Sequence, residues 1–528
     1  MMTRRTQRRR ADGVAGVTLR TTVVVGGGSS GGVIASRLSE DPRERVVLFE
    51  AGPDYRPGEA MPPSLRDVYN PQLRGEHDWG FEAHFVEPAG ARNLVPYPRG
   101  RVMGGSSTIN GSLAQRGTPE DFDAWARDGH HEWSWDRVLP FYKRLETDLD
   151  FGESELHGGA GPIPIARKPR EEWTSDQRAM VEACVGLGYG FAPDLAGFEQ
   201  GVVGPTPRNQ VGEEYRAGTL VTYLKQARGR DNLELHPDTL VVRVVFDGEV
   251  AVGVEVDRSG SREVVAADRV VLAGGAICSP QILTLSGIGP REALDRLGIA
   301  PIVVAPGVGR NLRDQVFAPV LALPTKEEEY FGFRLMLKCN SGGEFPNDQL
   351  IACSYIAAAS MNWDFDGGAT AAVMLCPMVG KPESVGWLDV TSKDPRVQPE
   401  MHMNFLDGST GDMERLEQVV RLCRQLTDTS PLAEEVTVLS PSATVMTSDE
   451  ALREWLRQNA ATGYHGAGTC RIGVEGDEGA VVDQRLAVHG TRGLYVADAS
   501  IMPHITTGFT NLSCIMIGER MAAWLRDR

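Results

Sequence analysis

One stretch constrains this chain more than any other: the β-branched run that breaks into glycines at "VVVGGGSSGG", Val23 to Gly32. Two motifs overlap in it. Read from Gly26 it is G-x-G-x-x-G (Gly26, Gly28, Gly31), a turn whose bare backbone lets a dinucleotide pyrophosphate settle on a helix N-terminus. Read from Gly27 it is G-x-S-x-G centred on Ser29, the nucleophile elbow of an α/β-hydrolase. Both need a strand before and a helix after, and "TTVVV" and the apolar-periodic Val33, Ile34 and Leu38 supply them. The next segment separates the readings. "DPRERVVLFEAGP" is a second apolar strand ending at Glu50 and Ala51, and a carboxylate roughly 20 residues past such glycines accepts hydrogen bonds from an adenosine ribose. A hydrolase elbow instead follows several strands and needs an acid and then a histidine downstream, whereas here it would open the fold. Dinucleotide binding is therefore the expectation, with Ser29 and Ser30 as small turn residues. A negative Glu50 would repel a 2′-phosphate, which favours FAD or NAD over NADP and leaves those two open.

The chain has 528 residues and a formal net charge of −17. That length implies two domains, and the charge disfavours nucleic acid or an anionic membrane as partner. The only basic run, "MMTRRTQRRRADG", has no apolar stretch behind it, so residues 1–19 are expected to form a disordered tail rather than a secretion signal. No window reaches the ~18 apolar residues of a membrane span. Eight dispersed cysteines show neither a C-x-x-C pair nor a histidine at metal-ligand spacing, so no metal site is expected and free thiols in a cytoplasmic setting are.

Three later stretches point to one family. "PRGRVMGGSSTINGSLAQRG" is a second glycine-rich turn, and its run from Gly100 to Asn110 resembles the first signature of the glucose-methanol-choline (GMC) oxidoreductases. "GAICSPQILTLSGIG", Gly275 to Gly289, resembles the second signature. "YHGAGTCRIG" followed by "VVDQRLAVHGTRGLYVADASIMP" resembles the C-terminal block of the same family. The resemblance implies FAD as cofactor and an α/β fold, α+β overall: a Rossmann-like FAD-binding domain of discontinuous segments beside a substrate domain with an antiparallel sheet and helices. The expected division is 20–60, 90–150, 225–318 and 466–528 for FAD, and 61–89, 151–224 and 319–465 for substrate. Besides the residues already named, it assigns to FAD Arg101, Met103, Gly104, Gly105, Ser106, Asn110, Gly111, Leu113, Val241, Ala273, Gly274, Asp498, Ala499, Phe509 and Thr510. "LELHPDTLVVRVVFDGEVAVGVEV" alternates like paired strands around Asp247-Gly248, and "ADRVVLAGGAICSPQILTLSG" reads as a buried strand leading into a helix.

Oxidising an alcohol with a flavin requires a base for the hydroxyl proton while the carbinol carbon gives up a hydride. A lone histidine among glycines is more often a turn residue, but His465 in "GYHGAGTC" occupies the catalytic histidine position of the family it resembles. The site of covalent flavin attachment in some members falls on Ile109, which has no nucleophile, so FAD is expected to be non-covalent. The place of a second catalytic histidine or asparagine falls on Phe509, whose ring offers no conventional hydrogen bond; either Asn511 or Thr510 takes the role or the site is built differently. Gln315 stands where a histidine is common. Adjacent His130 and His131 read as a surface loop, and His504 as a candidate for the pocket wall. Tyr330, Phe331, Phe333, Tyr355, Trp363 and Phe365 could line a pocket or fill a core. The leading expectation is an FAD-dependent oxidation of a small-molecule alcohol, with oxygen, a quinone or a protein as acceptor. Phe509 keeps open a lyase or light-driven decarboxylase on the same scaffold.

Overall fold

The computed structural model describes residues 19–56, 59–67, 75–86, 94–197, 199–212, 215–326, 332–343, 345–357 and 371–527. Tyr330, Phe331, Trp363, Phe365 and nearly all of the basic tail lie outside them.

The first strand, Arg20–Val25, sits at the centre of a five-stranded parallel sheet whose order is Leu233–His236, Glu44–Phe49, Arg20–Val25, Arg269–Leu272, Leu494–Val496. Sheets covered on both faces read as continuous apolar runs, and Val23, Val24, Val46, Val270 and Val271 are accordingly buried. The helix Gly31–Leu38 follows the glycines and crosses the C-terminal helix Thr510–Arg526. The crossing is close because Gly518 lacks a Cβ, which would stand 2.7 Å from the Ser30 carbonyl oxygen. The residues read as paired strands form an antiparallel meander, Leu240–Asp247, Val250–Arg258 and Ser261–Ala266, turning at Gly248 with φ +60°. The buried strand Arg269–Leu272 leads into the helix Gly275–Leu285, as its sequence implied.

A second, nine-stranded sheet has at its centre Val320–Pro324, Ala371–Val379, Gln349–Ala357 and Gly332–Cys339, paired antiparallel. Alternation gives each strand two faces. Ile351, Cys353, Val373 and Leu375 pack in the cluster that contains the helix Asp412–Thr427, whose Leu416, Val419, Val420 and Cys423 recur at helical spacing. Ala352, Met374, Cys376 and Met378 face the other way, into a separate cluster that includes Phe509. Between that face and the glycine-rich end of the parallel sheet lies a cavity of about 960 Å³. No helix among the described residues is long and apolar enough to cross a membrane.

Candidate active site

At the parallel-sheet end the cavity is made of backbone. Gly26 has φ +96°, and a Cβ there would stand 2.5 Å from the Ala273 carbonyl oxygen. A Cβ on Gly31 would stand 1.9 Å from the Gly26 carbonyl oxygen, so both positions require glycine for close packing. Gly28 differs: a Cβ there would meet only the Gly105 Cα, at 3.8 Å. Its bare face opens into the cavity, where the N-terminal turns of Gly31–Leu38, Gly275–Leu285 and Thr510–Arg526 converge. Helix N-termini attract phosphate, and a buried donor, Asn511 Nδ2, has no hydrogen-bond partner there. This arrangement could hold a dinucleotide pyrophosphate. Glu50 closes it. Its carboxylate accepts from the backbone N–H of Gly27 at 2.8 Å and of Gly52 at 3.0 Å, and burial pushes its pKa up to about 7. On the far side Asp498 accepts from the backbone N–H groups of Gly275 and Ser500, both at 2.8 Å, joining two loops under the cavity.

At the other end the cavity is made of side chains. His465 Nδ1 lies 2.7 Å from Gln315 Oε1. The orientation of that amide is not free, because Gln315 Nε2 donates to three carbonyl oxygens: Gly380 at 2.9 Å, Thr506 at 3.1 Å and Thr507 at 3.0 Å. Only a donor can face three carbonyls, so the amide oxygen must face His465, and His465 must carry its proton on Nδ1. The lone pair is then on Nε2. Burial, and secondarily the positive charge of Arg99, push the imidazole pKa down to about 3, so the ring is neutral at physiological pH. The two glycines beside it are steric necessities. A Cβ on Gly463 would sit 2.7 Å from His465 Nδ1, and one on Gly466 would sit 2.5 Å from the Tyr97 hydroxyl. Fully buried Asp314 clamps the loop from behind. It accepts from His465 N at 2.8 Å, Gln315 N at 2.7 Å, Tyr97 Oη at 2.6 Å and Thr462 Oγ1. Across from His465 stands Phe509, its ring centroid 5.0 Å from that of the imidazole.

GMC oxidoreductase N- and C-terminal family profiles match residues 20–317 and 382–518. The chain belongs to the GMC oxidoreductases. This GMC oxidoreductase is 35% identical over 538 residues to oxygen-dependent choline dehydrogenase 1 of Chromohalobacter salexigens, covering 94% of this chain and 93% of that one. It is 36% identical to oxygen-dependent choline dehydrogenase of Serratia proteamaculans, with 94% of each covered. Among solved structures it resembles pyridoxine 4-oxidase from Mesorbium loti, with a TM-score of 0.86, 28% identity and coverage of 96% of this chain and 99% of that one. A formate oxidase of Aspergillus oryzae shares the fold at a TM-score of 0.86 and 22% identity, covering 97% and 99%. The protein is thus an FAD-dependent oxidoreductase that acts on the CH–OH group of an alcohol. The relatives named here are dehydrogenases and oxidases, and none of them carries a lyase or decarboxylase name.

Most residues assigned from the sequence of this GMC oxidoreductase line the one cavity: Gly26, Gly28, Ser29, Ser30, Glu50, Ala51, Gly105, Ser106, Asn110, Gly111, Leu113, Val241, Ala273, Gly274, Asp498, Ala499, Phe509, Thr510 and His465. Gly31, Arg101, Met103 and Gly104 do not. Met103 is fully buried behind Gly27, and the Arg101 side chain is exposed, its guanidinium over the Trp79 ring at 5.5 Å. Asn511, named as an alternative catalytic partner, is held elsewhere: its Oδ1 accepts from Ser29 Oγ at 2.9 Å, at the phosphate end. The expected loop pair also needs correction, since His130 is buried and only His131 is exposed. His504 is turned away from the cavity and paired with Asp128 at 3.0 Å. Of the aromatic candidates, Phe333 and Tyr355 line the cavity. Sequence reading missed Asp314 and Tyr97 altogether, and it noted Gln315 only as a departure from the family pattern.

Proposed function

We propose that His465 Nε2 is the base that takes the hydroxyl proton of an alcohol, converting it to an aldehyde or ketone, and that Gln315 holds the imidazole in the tautomer this needs. The observation that carries the reading is the fixed Gln315 amide, which leaves Nε2 as the only basic nitrogen of a half-buried, neutral ring. FAD, when bound, supplies the hydride acceptor. The chain's own residues would hold it through the Gly26 to Gly31 loop, Glu50, Asn511, Asp498 and the Gly104 to Asn110 turn, in segments 20–60, 90–150, 225–318 and 466–528. Phe509 and the sheet face behind it set hydrocarbon beside His465, which favours the substrate hydroxyl as the partner of Nε2. A base of low proton affinity accepts the proton as negative charge builds on the substrate oxygen rather than before it.

Ile109 is 6% exposed and offers only hydrocarbon, which supports a flavin held without a covalent bond at this position. Acid precipitation should therefore release all flavin to the supernatant, and colour retained in the pellet would contradict it. The names of the curated relatives make oxygen the first acceptor to try and place choline among the alcohols to be compared. The test of the whole reading is anaerobic mixing of purified holoenzyme with a panel of alcohols. Bleaching of the oxidised-flavin band by any of them supports it, and a flavin that none reduces sinks it.

A further inference from the structure

The part of the cavity formed by the nine-stranded sheet is hydrocarbon, with Phe317, Leu321, Phe333, Ile356, Met374 and Met378 in its wall. Among the described lining residues the only carboxylates are Glu50 and Asp498, and both are committed to backbone N–H groups at the nucleotide end. The lining cations are Arg99 and Arg208. The charge of Arg99 reaches His465 itself, and Arg208 is buried, its guanidinium donating to the carbonyl oxygens of Gly111 and Phe333 at 3.3 Å each. A substrate entering here meets apolar surface and the charge of Arg99.

Among the polar side chains in that wall, Ser354 stands out. Ser354 is 2% exposed, and its Oγ is buried with no hydrogen-bond partner. Strand alternation places it with Ala352 and Ile356 along the cavity, cross-strand from Phe333 and Met374. A buried hydroxyl without a partner costs free energy in the empty pocket, and a ligand that completes it recovers that cost.

We infer that the substrate is an uncharged alcohol with an apolar body and, besides its carbinol, a second hydrogen-bonding group that Ser354 recognises; a quaternary ammonium alcohol such as choline is a poor substrate. The inference rests on the alcohol-oxidising reading above and deepens it. Ser354 is then a specificity residue, acting on which alcohol is preferred.

The test mixes holoenzyme anaerobically with choline, with its uncharged isostere 3,3-dimethylbutan-1-ol, with benzyl alcohol and with the three ring-hydroxylated benzyl alcohols, following flavin bleaching per bound FAD. The isostere should exceed choline at least about tenfold in apparent second-order rate, because the two differ in charge and scarcely in shape. At least one hydroxybenzyl alcohol should exceed benzyl alcohol about tenfold; the ratio should fall to about one in Ser354→Ala and recover in Ser354→Thr. Choline outrunning its isostere overturns the charge argument, which needs wild-type protein alone. A hydroxybenzyl preference that is absent in wild type, that survives Ser354→Ala, or that stays constant while every rate falls together overturns the role of Ser354. A flavin that no alcohol reduces overturns the underlying reading instead.

Discussion

The two ends of the cavity are made of different materials. The nucleotide end is backbone: glycines that lack a Cβ where one would collide, and amides aimed from three helix N-termini. The carbinol end is side chains, His465, Gln315, Phe509 and Ser354, brought together from loops and strands far apart in the chain. A backbone site depends on local geometry and should fail all at once when that geometry is lost. A side-chain site should fail by degrees, according to what each group holds.

The largest effect is expected at the backbone end. Gly28→Val puts a branched side chain into the space that only the Gly105 Cα borders, so the chain should fold yet lose FAD affinity by about 10³-fold or more, about 4 kcal/mol. The flavin-to-protein absorbance ratio and far-UV circular dichroism check this together. Folded protein with full flavin would show that the pyrophosphate lies elsewhere.

At the side-chain end, His465→Ala should keep its flavin and lose about 10²–10⁴ in the rate of anaerobic reduction, the range for a missing general base. An unchanged rate would move the base to another residue. Gln315→Leu should lose less, about 10–100-fold, as when an imidazole loses the partner that orients it from behind. That loss should fall on the reduction rate with flavin retained. If Gln315→Leu released FAD instead, the contrast between the ends would break, because Gln315 would then be supporting the cofactor.

The same contrast explains what the sequence made legible. Gly26 and Gly31 announce themselves because each is demanded by a contact within the turn, and Gly28 because it completes the fixed spacing of the motif. The strands and helix around them, and the meander at Asp247-Gly248, follow from apolar runs and one turn. Gln315 left only an isolated letter. It meets His465 150 residues away and is oriented by carbonyls at Thr506 and Thr507 further still, and no local period records such a contact. Phe509 could be placed by spacing, but its proximity to the His465 ring required the fold. The surroundings of Asn511 required the fold for the same reason: its place on the first turn of Thr510–Arg526 sets its Oδ1 on Ser29 Oγ. Ser354 is one polar residue in an apolar strand, and only the pairing register shows that it faces the cavity.

The smallest effect, and the one that separates the ends most finely, is the pH dependence of the base. An ordinary histidine loses its basic form as pH falls through about 6.5. Burial and Arg99 hold His465 down to about 3, so the neutral, active form persists from pH 7 through pH 5. The acid limb of the reduction rate, followed by anaerobic rapid mixing from pH 4.5 upward, should therefore lie well below the usual histidine range. Desolvation is the larger cause and Arg99 the smaller, so Arg99→Met should move the limb toward higher pH without restoring an ordinary value. A wild-type limb near 6.5 would mean that water reaches the base with the cofactor in place. Phe509 would then not be sealing the carbinol end, and the division between a backbone site that binds and a dry side-chain site that reacts would have to be redrawn.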